Sequence, residues 1–498
     1  MLPRVFEIDE ILRHIASDVI DLSGSSAISL ASCCKALEEP VLSLCWEEKP
    51  LDKLANVLPT GVLKRSGLEN TPYYVCTSLV PQVAVQALIP ILALLQSIIR
   101  FPTREEQRRL LRYASWIKRI AGIITRRIGA LLEILRFCSP TETPFPNLRG
   151  LNLCIYPSFL RFLPLFISPR VTAFSVSVYS DASFKPNTLE RDDLSAAVAA
   201  LPPFLREFAL RVNLVELGSD GLKEEIQRAV QRSGSTLTRI EIDVKLPTTA
   251  IHHLVQLPNL RTWKNHGNPP PAAFAPSYEE VTYLPALCSF ALEATNTHDW
   301  VVFLAGSYQT ATTIRPTLTK LDLNGHQALD PILIAQVCAF TNLTHLHVGC
   351  SCPTDRCVFT LTDDDLSTLS LALPRLESLM LGHQCDKNSC GTTFKSLLFL
   401  SARCPGLVSL SIHFNTLQIA QDIRSLFSTG DPTIKALRES PTRCRVSVFS
   451  VSHTPLSLVG LDELDVVKKG FMNVFPQLRG ISRKYGRAWQ SVTEALGK

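Results

Sequence analysis

The residues best suited to chemistry are cysteines and histidines that cluster in the C-terminal third of the sequence. Three cysteines follow one short apolar segment and two follow the next, each group near a histidine: Cys350, Cys352 and Cys357 with His347, and Cys385 and Cys390 with His383. Soft ligands in this number could hold zinc in a tetrahedral site. Because the spacings C-x-C-x4-C and C-x4-C match no standard zinc knuckle, we favour unlinked surface thiols and predict no metal, with zinc as the alternative.

Other arrangements that build a catalytic site are not found in the sequence. The run Asp363, Asp364 and Asp365 lacks the spacing of a calcium loop, and acidic residues favour the start of a helix. The Cys33-Cys34 pair is expected to be buried packing rather than a nucleophile. No H-E-x-x-H, G-x-S-x-G, phosphate loop or dinucleotide-binding glycine cluster occurs. We therefore predict a protein that is not itself an enzyme and that needs no cofactor.

The composition of the 498 residues is that of a folded protein, with 46% hydrophobic and 19% charged residues. The net charge is +5, and residues 101–136 alone contribute nine basic and three acidic side chains. The rest of the chain is nearly neutral, so a basic face spread over a domain is not indicated. The sequence predicts no nucleic-acid partner.

The sequence contains only weak signals for secretion or for insertion into a membrane. Acidic residues precede any long apolar run at the N-terminus, and the 15 cysteines are an odd number that suits reduced thiols, so we expect a cytoplasmic or nuclear protein. Residues 80–99 are uncharged and long enough to cross a bilayer. Pro81, Pro90 and three glutamines within this segment favour buried short helices, and a membrane span is the alternative.

The first 48 residues show apolar side chains at helical spacing in three short segments, separated by a turn at residues 23–26 and by Pro40. Three helices of this size bury little surface, so the module should gain stability from a partner. This is typical of a binding module, and a helical cap for the rest of the chain is the alternative.

The same residues resemble an F-box, in the form common in fungal F-box proteins. The segments VFEIDEILRHIA and AISLASCCKALEEPVLSLCWEE place Leu30, Cys34, Lys35 and Trp46 at the L-x-x-x-C-K and L-W elements of that family. The resemblance implies docking on a Skp-type adaptor, which links the chain to a cullin scaffold and a ubiquitin-conjugating enzyme. By matched position the docking face, or the small core behind it, comprises Ile8, Ile11, Leu12, Ile15, Leu30, Cys34, Leu37, Leu42 and Trp46.

Residues 104–136 combine an apolar stripe at helical spacing with basic side chains at the other positions, which predicts one long helix or two. The basic residues are interpreted as a solvated outer face, since long basic side chains keep their charged ends in water. An acidic partner or an anionic lipid surface are alternatives.

One phrase, a turn followed by L-x-x-L-x-L, recurs through the remaining chain. It occupies residues 145–153, 168–176, 202–210, 235–242, 257–263, 284–292, 315–323, 340–348, 373–381 and 404–412. Its first apolar positions run from 148 to 407, and the nine intervals average about 29 residues, which is typical of leucine-rich repeats. We predict an α/β fold in which an N-terminal helical F-box precedes a leucine-rich-repeat solenoid, with parallel strands on the concave face and helices on the convex face.

The predicted organisation is an F-box-like module at 1–48, a helical linker at 49–144, the solenoid at 145–481 and a C-terminal helix or tail at 482–498. Residues between the leucines of each strand point onto the concave face and are the candidates for binding a protein target. The predicted contact residues are Arg239, Glu241, Asp243, Lys320, Asp322, Asn324, His345, His347, Ser409, Ser411 and His413. The same face should also carry Glu207, Arg211, Lys264, His266, Glu293 and Met380.

These features predict a substrate-recognition adaptor of a Skp-cullin-F-box ubiquitin ligase, with an unknown protein substrate. A leucine-rich-repeat scaffold without a ubiquitin role is the alternative. A form tethered to a membrane through residues 80–99 is a third possibility.

Overall fold

The structure of the protein is a computed structural model. It describes residues 14, 16–19, 24–33, 35–48, 50–63, 97–179, 188–212, 220–266, 284–293, 297–310, 317–325, 330–350, 361–382, 391–416, 418–428, 435–436, 444–451, 461–479, 481–483, 489 and 492–494. The chain divides into two compact units, Met1–Val244 and Lys245–Lys498.

The first unit begins with short helices, of which the first two pack on one another. These are α1 (Gly24–Cys33), α2 (Lys35–Trp46) and α3 (Leu51–Ala55). A small core of Ala16, Ala31, Leu37 and Val41 joins α1 to α2. The predicted turn at residues 23–26 and the predicted break at Pro40 are both wrong, because α1 already begins at Gly24 and α2 continues through Pro40. Burial of Leu37 and Val41 on either side of the proline offsets its missing hydrogen bond.

Strands and helices then alternate along the first unit. The elements are α4 (Arg104–Trp116), β1 (Arg119–Ile123), α5 (Arg126–Cys138), β2 (Gly150–Ile155), a 3-10 helix (Pro157–Phe166), β3 (Ala173–Val178), α6 (Thr188–Ala199), β4 (Glu207–Val212), α7 (Asp220–Arg232) and β5 (Arg239–Ile242). Strands β1–β5 pair in parallel and in chain order. Core residues fall in register across them, as Leu151, Phe174 and Phe208 do in β2, β3 and β4.

The second unit repeats this alternation. It contains α8 (Thr248–Val255), β6 (Thr262–His266), β7 (Ser289–Glu293), α9 (Thr297–Thr310), β8 (Lys320–Gly325), α10 (Pro331–Val337), β9 (His345–Cys350), α11 (Asp363–Ala372), β10 (Ser378–Leu381), α12 (Phe394–Arg403), β11 (Ser409–Ile412), α13 (Ile419–Ser428), β12 (Val448–Val451), α14 (Leu461–Val474) and β13 (Ile481–Arg483). Strands β6–β13 are also parallel and in chain order. The predicted α/β class and the alternation of parallel strands with helices are confirmed.

Each predicted L-x-x-L-x-L phrase coincides with one strand, from β2 to β11. The leucine positions are buried, as shown by Leu321 and Leu323 in β8 and by Leu346 and Val348 in β9. Alternate residues of each strand lie on the opposite side, which we call the open face of the sheet. The period of two in the sequence therefore fixes which side chains lie on the open face.

Strands β1, β12 and β13 lie outside the ten predicted phrases, and β1 falls within a segment predicted to be helical. The segment 104–136 contains two helices, as one alternative held, but β1 separates them. In β1, Ile120 is in register with Leu151 and Gly122 with Leu153, so glycine stands where β2 has a leucine. Gly122 has φ +134°, a conformation that side chains rarely adopt. The first repeat thus reads I-x-x-I-x-G and does not match the phrase L-x-x-L-x-L.

Threonine hydroxyl groups join neighbouring repeats at the residue directly before a strand. Those of Thr172 and Thr238 donate to the carbonyl oxygens of Arg149 and Arg206 in the preceding repeat, at 3.3 and 3.0 Å. In the second unit, Thr319 and Thr344 donate to Cys288 and Thr319 in the same way, both at 3.1 Å. We call these residues the threonine ladder.

Near the C-terminus the indole of Trp489 is 2% exposed and lies 6.1 Å from the ring of Phe471 and 6.4 Å from that of Phe414. This tryptophan belongs to the core of the second unit. Among the described residues, no helix has the length and apolar character needed to cross a membrane. Of the uncharged segment 80–99, residues 80–96 lie outside the described part of the chain.

Candidate interaction surface

The open face of the second unit carries predicted contact residues in register. Along β8–β11 the first row is Lys320, His345, Ser378 and Ser409, and the second row is Asp322, His347, Met380 and Ser411. Neighbouring strands lie about 4.8 Å apart, so these residues share one surface. The structure brings together the residues that the sequence predicted in β8, β9 and β11.

A polar cluster forms where β8 and β9 meet. Nδ1 of His347 lies 3.0 Å from Oδ1 of Asp322, and the side-chain amide of Asn324 donates to the same oxygen at 2.8 Å. Asp322 is 42% exposed and His347 31%, so solvent reaches both. Gly349 leaves room for the cluster, because a Cβ there would lie 2.5 Å from Oδ1 of Asn324. The cluster offers a fixed carboxylate and imidazole to a polar partner.

His345 beside this cluster is expected to be uncharged near neutral pH. Burial lowers its pKa, and the positive charge of Lys320 lowers it further. The imidazole lies 2.8 Å from the hydroxyl of Thr344. Its contribution to the surface is therefore hydrogen bonding rather than charge.

A second polar group lies on β6 and β7. The carboxylate of Glu293 is 3.5 Å from Nζ of Lys264 and 2.8 Å from Nδ1 of His266. His266 and Glu293 are in register, so the contact follows from the pairing of the strands. Both clusters place a carboxylate against a histidine on the neighbouring strand.

In the first unit, two of the predicted contact residues make internal contacts, Glu241 on β5 and Asp243 directly after it. Arg211 on β4 donates to both carboxylate oxygens of Glu241, at 2.6 and 2.8 Å, and this raises the pKa of Arg211. The carboxylate of Asp243 accepts the backbone N–H of Val212. Glu241 is only 2% exposed, whereas half of Arg211 is accessible. Here the arginine is the group that a partner can reach.

Three of the predicted contact residues are buried, namely Glu241, Ser411 and His413. Lys320 and Arg239 are exposed, and Asp322, Asn324, His345, His347, Asp243 and Ser409 are half-buried. Contact of each residue with a target stays a prediction, and the exposed side chains offer the larger accessible area.

A groove crosses the open face of the first unit. One cavity of about 530 Å³ runs from Arg119 on β1 to Arg239 on β5, over a floor of small residues that includes Gly150, Ala173 and Ala209. A second cavity of about 430 Å³ continues it towards the N-terminal ends of the strands. The two share Arg119, Gly150, Ala173 and Glu207 in their linings.

Two arginines of this groove were missed in the sequence. Arg149 and Arg206 line the second cavity, and both are exposed. Each stands directly before its strand, whereas the prediction considered only residues that alternate within the strand. The signal that could have found them is the dipeptide Leu-Arg, which occurs at the same point of the repeats in NLRGL and FLREF.

The residues of the predicted Skp-adaptor face are only partly described. Leu37 is buried in the small helical core, and Leu30, Leu42 and Trp46 are half-buried. Ile8, Ile11, Leu12, Ile15 and Cys34 lie outside the described residues.

Contacts that the sequence did not predict fasten α2 to the first repeat. The ring of Trp46 lies 4.8 Å from that of Tyr113 on α4. Beyond the helix, Glu47 pairs with Lys118 and Glu48 pairs with Arg119 at 2.8 Å. The backbone carbonyl of Glu47 also accepts the N–H groups of Lys118 and Arg119. The helical module is thus joined directly to β1.

The basic helix α4 begins at a capping box formed by Thr103 and Glu106. Hydrogen bonds from the Arg100 guanidinium and from the backbone of Thr103 lower the pKa of Glu106 to about 2. Arg108 and Arg109 are exposed, as expected for a solvated outer face. An acidic or lipid partner for this helix stays a prediction.

No group of three or more histidine, cysteine, aspartate or glutamate side chains is arranged to hold a metal within the described part of the chain. Cys352, Cys357, Cys385, Cys390 and His383, which carried the zinc alternative, lie outside the described residues.

Searches against protein-family models and against curated proteins find no match to this chain. Among solved structures, it is similar to the leucine-rich repeat-containing protein LegL7 from Legionella pneumophila, with 12% identity, a TM-score of 0.27, and 74% of this chain and 93% of that chain covered. It is also similar to a protein from Bacteroides fragilis, with 12% identity, a TM-score of 0.23, and 71% and 69% covered. Neither likeness is close enough to carry an argument, so the repeat architecture rests on the strand order, register and leucine positions.

Proposed function

We propose that this protein is a non-catalytic interaction protein that binds a target on the open faces of its sheets and serves as the substrate-recognition adaptor of a Skp-cullin-F-box ubiquitin ligase. The repeat architecture favours a protein-interaction scaffold, because stacked repeats present a long row of solvent-facing side chains. The ligase role rests on the F-box resemblance of the first 48 residues. It would place the protein in the cytoplasm or nucleus.

The structural observation that supports this proposal is the attachment of the helical module to the first repeat. Trp46 packs on Tyr113, and Glu47 and Glu48 pair with Lys118 and Arg119. A module fixed in this way would hold the open face of the first unit in a constant orientation towards any complex docked on the helices. Catalysis would then be proximity: the adaptor positions a target, and the recruited enzyme forms the bond.

The two functions are assigned to separate surfaces. Docking on a Skp-type adaptor is assigned to the apolar residues of the N-terminal module, among them Ile11 and Leu12. Target binding is assigned to exposed residues of the open face, among them Lys320 and Asp322. No residue of this chain takes part in covalent chemistry on this proposal.

The experiment is a pull-down of the purified full-length chain with a Skp-type adaptor. The double change Ile11→Asp and Leu12→Asp should abolish binding, because two carboxylates would have to be buried in an apolar interface. Lys320→Glu, on the open face of the second unit, is the control and should bind as the wild type does. Far-UV circular dichroism shows whether each variant is folded.

The alternative is a leucine-rich-repeat scaffold in which the helical module only caps the first repeat. The packing of Trp46 on Tyr113 favours it equally, since a cap needs the same contacts. A well-folded wild-type chain that does not bind the Skp-type adaptor would establish this alternative and end the ligase proposal.

A further inference from the structure

The groove on the open face of the first unit has a flat floor bordered by charged side chains. Its floor residues come from four neighbouring strands: Ala121, Gly150, Asn152, Ala173, Ser175 and Ala209. All except the exposed Asn152 have side chains no larger than a hydroxymethyl group, so a backbone can approach the sheet closely over most of the floor. A floor of this kind suits an extended chain segment that crosses the strands.

The charges that line the groove are unbalanced. Its two cavities are lined by six basic and four acidic side chains. Three of the acidic groups are already engaged: Glu47 by Lys118, Glu48 by Arg119 and Glu241 by Arg211.

Three guanidinium groups and one carboxylate remain. Within the part of the chain that the structure describes, no ion pair involves Arg149, Arg206 or Arg239, and the acidic residue left beside them is Glu207. All four side chains are exposed. The groove therefore presents excess positive charge that the protein itself does not neutralise.

The spacing of the arginines matches an extended peptide. Parallel strands lie about 4.8 Å apart, so Arg149 before β2 and Arg206 before β4 are separated by about 10 Å. Arg239 is the first residue of β5, which pairs with β4. The distance from β1 to β5 is about 19 Å, which about six extended residues span.

We propose that this groove binds an acidic, extended segment of a protein partner, whose carboxylates pair with Arg149, Arg206 and Arg239 while its backbone crosses the small-residue floor. The inference rests on the proposed function only in taking the open face as the recognition surface. Carboxylate pairs with guanidinium in a planar geometry that favours arginine over lysine at such positions.

The test is fluorescence anisotropy with a labelled peptide of alternating glutamate and alanine, compared with the same peptide carrying glutamine. The wild-type chain should bind the glutamate peptide more tightly, and added salt should reduce the difference. Exposed ion pairs each contribute about twofold, so the triple change Arg149→Glu, Arg206→Glu and Arg239→Glu should weaken binding by about tenfold or more.

The matched control is Arg108→Glu with Arg109→Glu on α4, which alters exposed arginines of the same unit outside the groove. This control should bind the glutamate peptide as the wild type does. Equal affinity for the glutamate and glutamine peptides, or an equal loss in the control, would overturn the proposal. Tighter binding of a single-stranded DNA oligonucleotide than of the glutamate peptide would also overturn it, because the groove would then recognise phosphates.

The result of the peptide-binding test can be distinguished from the result of the adaptor-binding test. The triple arginine variant should still bind the Skp-type adaptor, since its changes lie outside the N-terminal helices. Peptide binding without adaptor binding would leave the groove proposal standing and end the ligase proposal, and the opposite result would do the reverse.

Discussion

Replacing Gly470 with alanine is expected to destabilise the second unit, although alanine is the better helix former. Gly470 lies inside α14, where it faces Ile423 on α13. A Cβ atom at this position would lie 2.7 Å from Cδ1, 3.0 Å from Cγ2 and 3.1 Å from Cγ1 of Ile423. Carbon atoms pack at about 3.5–4.0 Å, so all three contacts are too short. Because both branches of the isoleucine are involved, moving one methyl group away does not relieve the overlap.

Two opposing terms decide the size of the effect. Alanine gains about 0.8–1.0 kcal/mol over glycine in a helix interior. Overpacking a core costs about 1–3 kcal/mol, and contacts with three atoms of a buried, branched side chain belong in the upper half of that range. The net loss of stability is therefore about 1–2 kcal/mol, which lowers the melting temperature of a unit of this size by roughly 2–8 °C.

Urea and thermal unfolding, followed by far-UV circular dichroism, measure this loss. Gly221→Ala in α7 is the control, because a Cβ at Gly221 would meet nothing within 4 Å. That change should leave stability unaltered or raise it by up to about 1 kcal/mol. Gly470→Ala should thus lower the stability, whereas Gly221→Ala should not.

A second change tests whether the overlap with Ile423 causes this loss of stability. Ile423→Val removes Cδ1, the atom closest to the new Cβ, and alone costs about 0.5–1.5 kcal/mol. The double variant with Gly470→Ala should lose about 1 kcal/mol less than the sum of the two single losses, because removal of Cδ1 relieves the shortest of the three contacts. A Gly470→Ala variant as stable as the wild type, or strict additivity of the two changes, would refute the packing argument.

Two further predictions concern charged groups of the first unit. Arg211→Met leaves the buried carboxylate of Glu241 without its bidentate partner and should lower stability by about 1–3 kcal/mol in urea unfolding, and an unchanged midpoint would contradict the role of the pair. The pKa of Glu106 is about 2 in the folded chain, below its ordinary value of 4.5, so the contribution of its contacts with Arg100 and Thr103 is complete above about pH 4.5 and is lost as the pH falls through about 2. The difference in unfolding free energy between the wild type and Glu106→Gln should therefore shrink as the pH falls from 5 towards 2, measured at intervals of about half a pH unit. A difference that does not change with pH would refute this assignment.

The strands could be predicted because burial leaves a periodic signature in the sequence. Each strand of the repeats needs apolar side chains at alternate positions, and β8 and β9 show this in Leu321, Leu323, Leu346 and Val348. Strand β1 escaped the prediction because Gly122 occupies a leucine position. Packing, rather than residue type, made this segment a strand.

The candidate surface was only partly predictable. The alternation of side chains along β8 and β9 placed Lys320, Asp322 and His347 on the open face, and the register brings them side by side. Exposure could not be predicted, because it depends on which neighbour covers a residue: Glu241 lies under Arg211. The arginine at position 149 lies before its strand, where no periodic rule applies.

The N-terminal module shows where local rules fail. Proline usually ends a helix, but α2 continues through Pro40 because the residues around it share one small core. The packing of Trp46 on Tyr113 joins residues far apart in the sequence, and no local pattern encodes it. The docking role of Ile8, Ile11, Leu12 and Ile15 stays a prediction.

The threonine ladder has a consequence for how such a chain can change over evolutionary time. Each hydroxyl donates to a carbonyl group of the repeat directly before it, as Thr344 does to Thr319 and Thr319 does to Cys288. A duplicated repeat would therefore bring its own donor and its own acceptor, and would join the array without altering any other junction. Duplication of one repeat would lengthen the open face by about 4.8 Å and add a new row of variable side chains. A lineage could thus acquire new partners by adding repeats before it alters any residue of the existing surface.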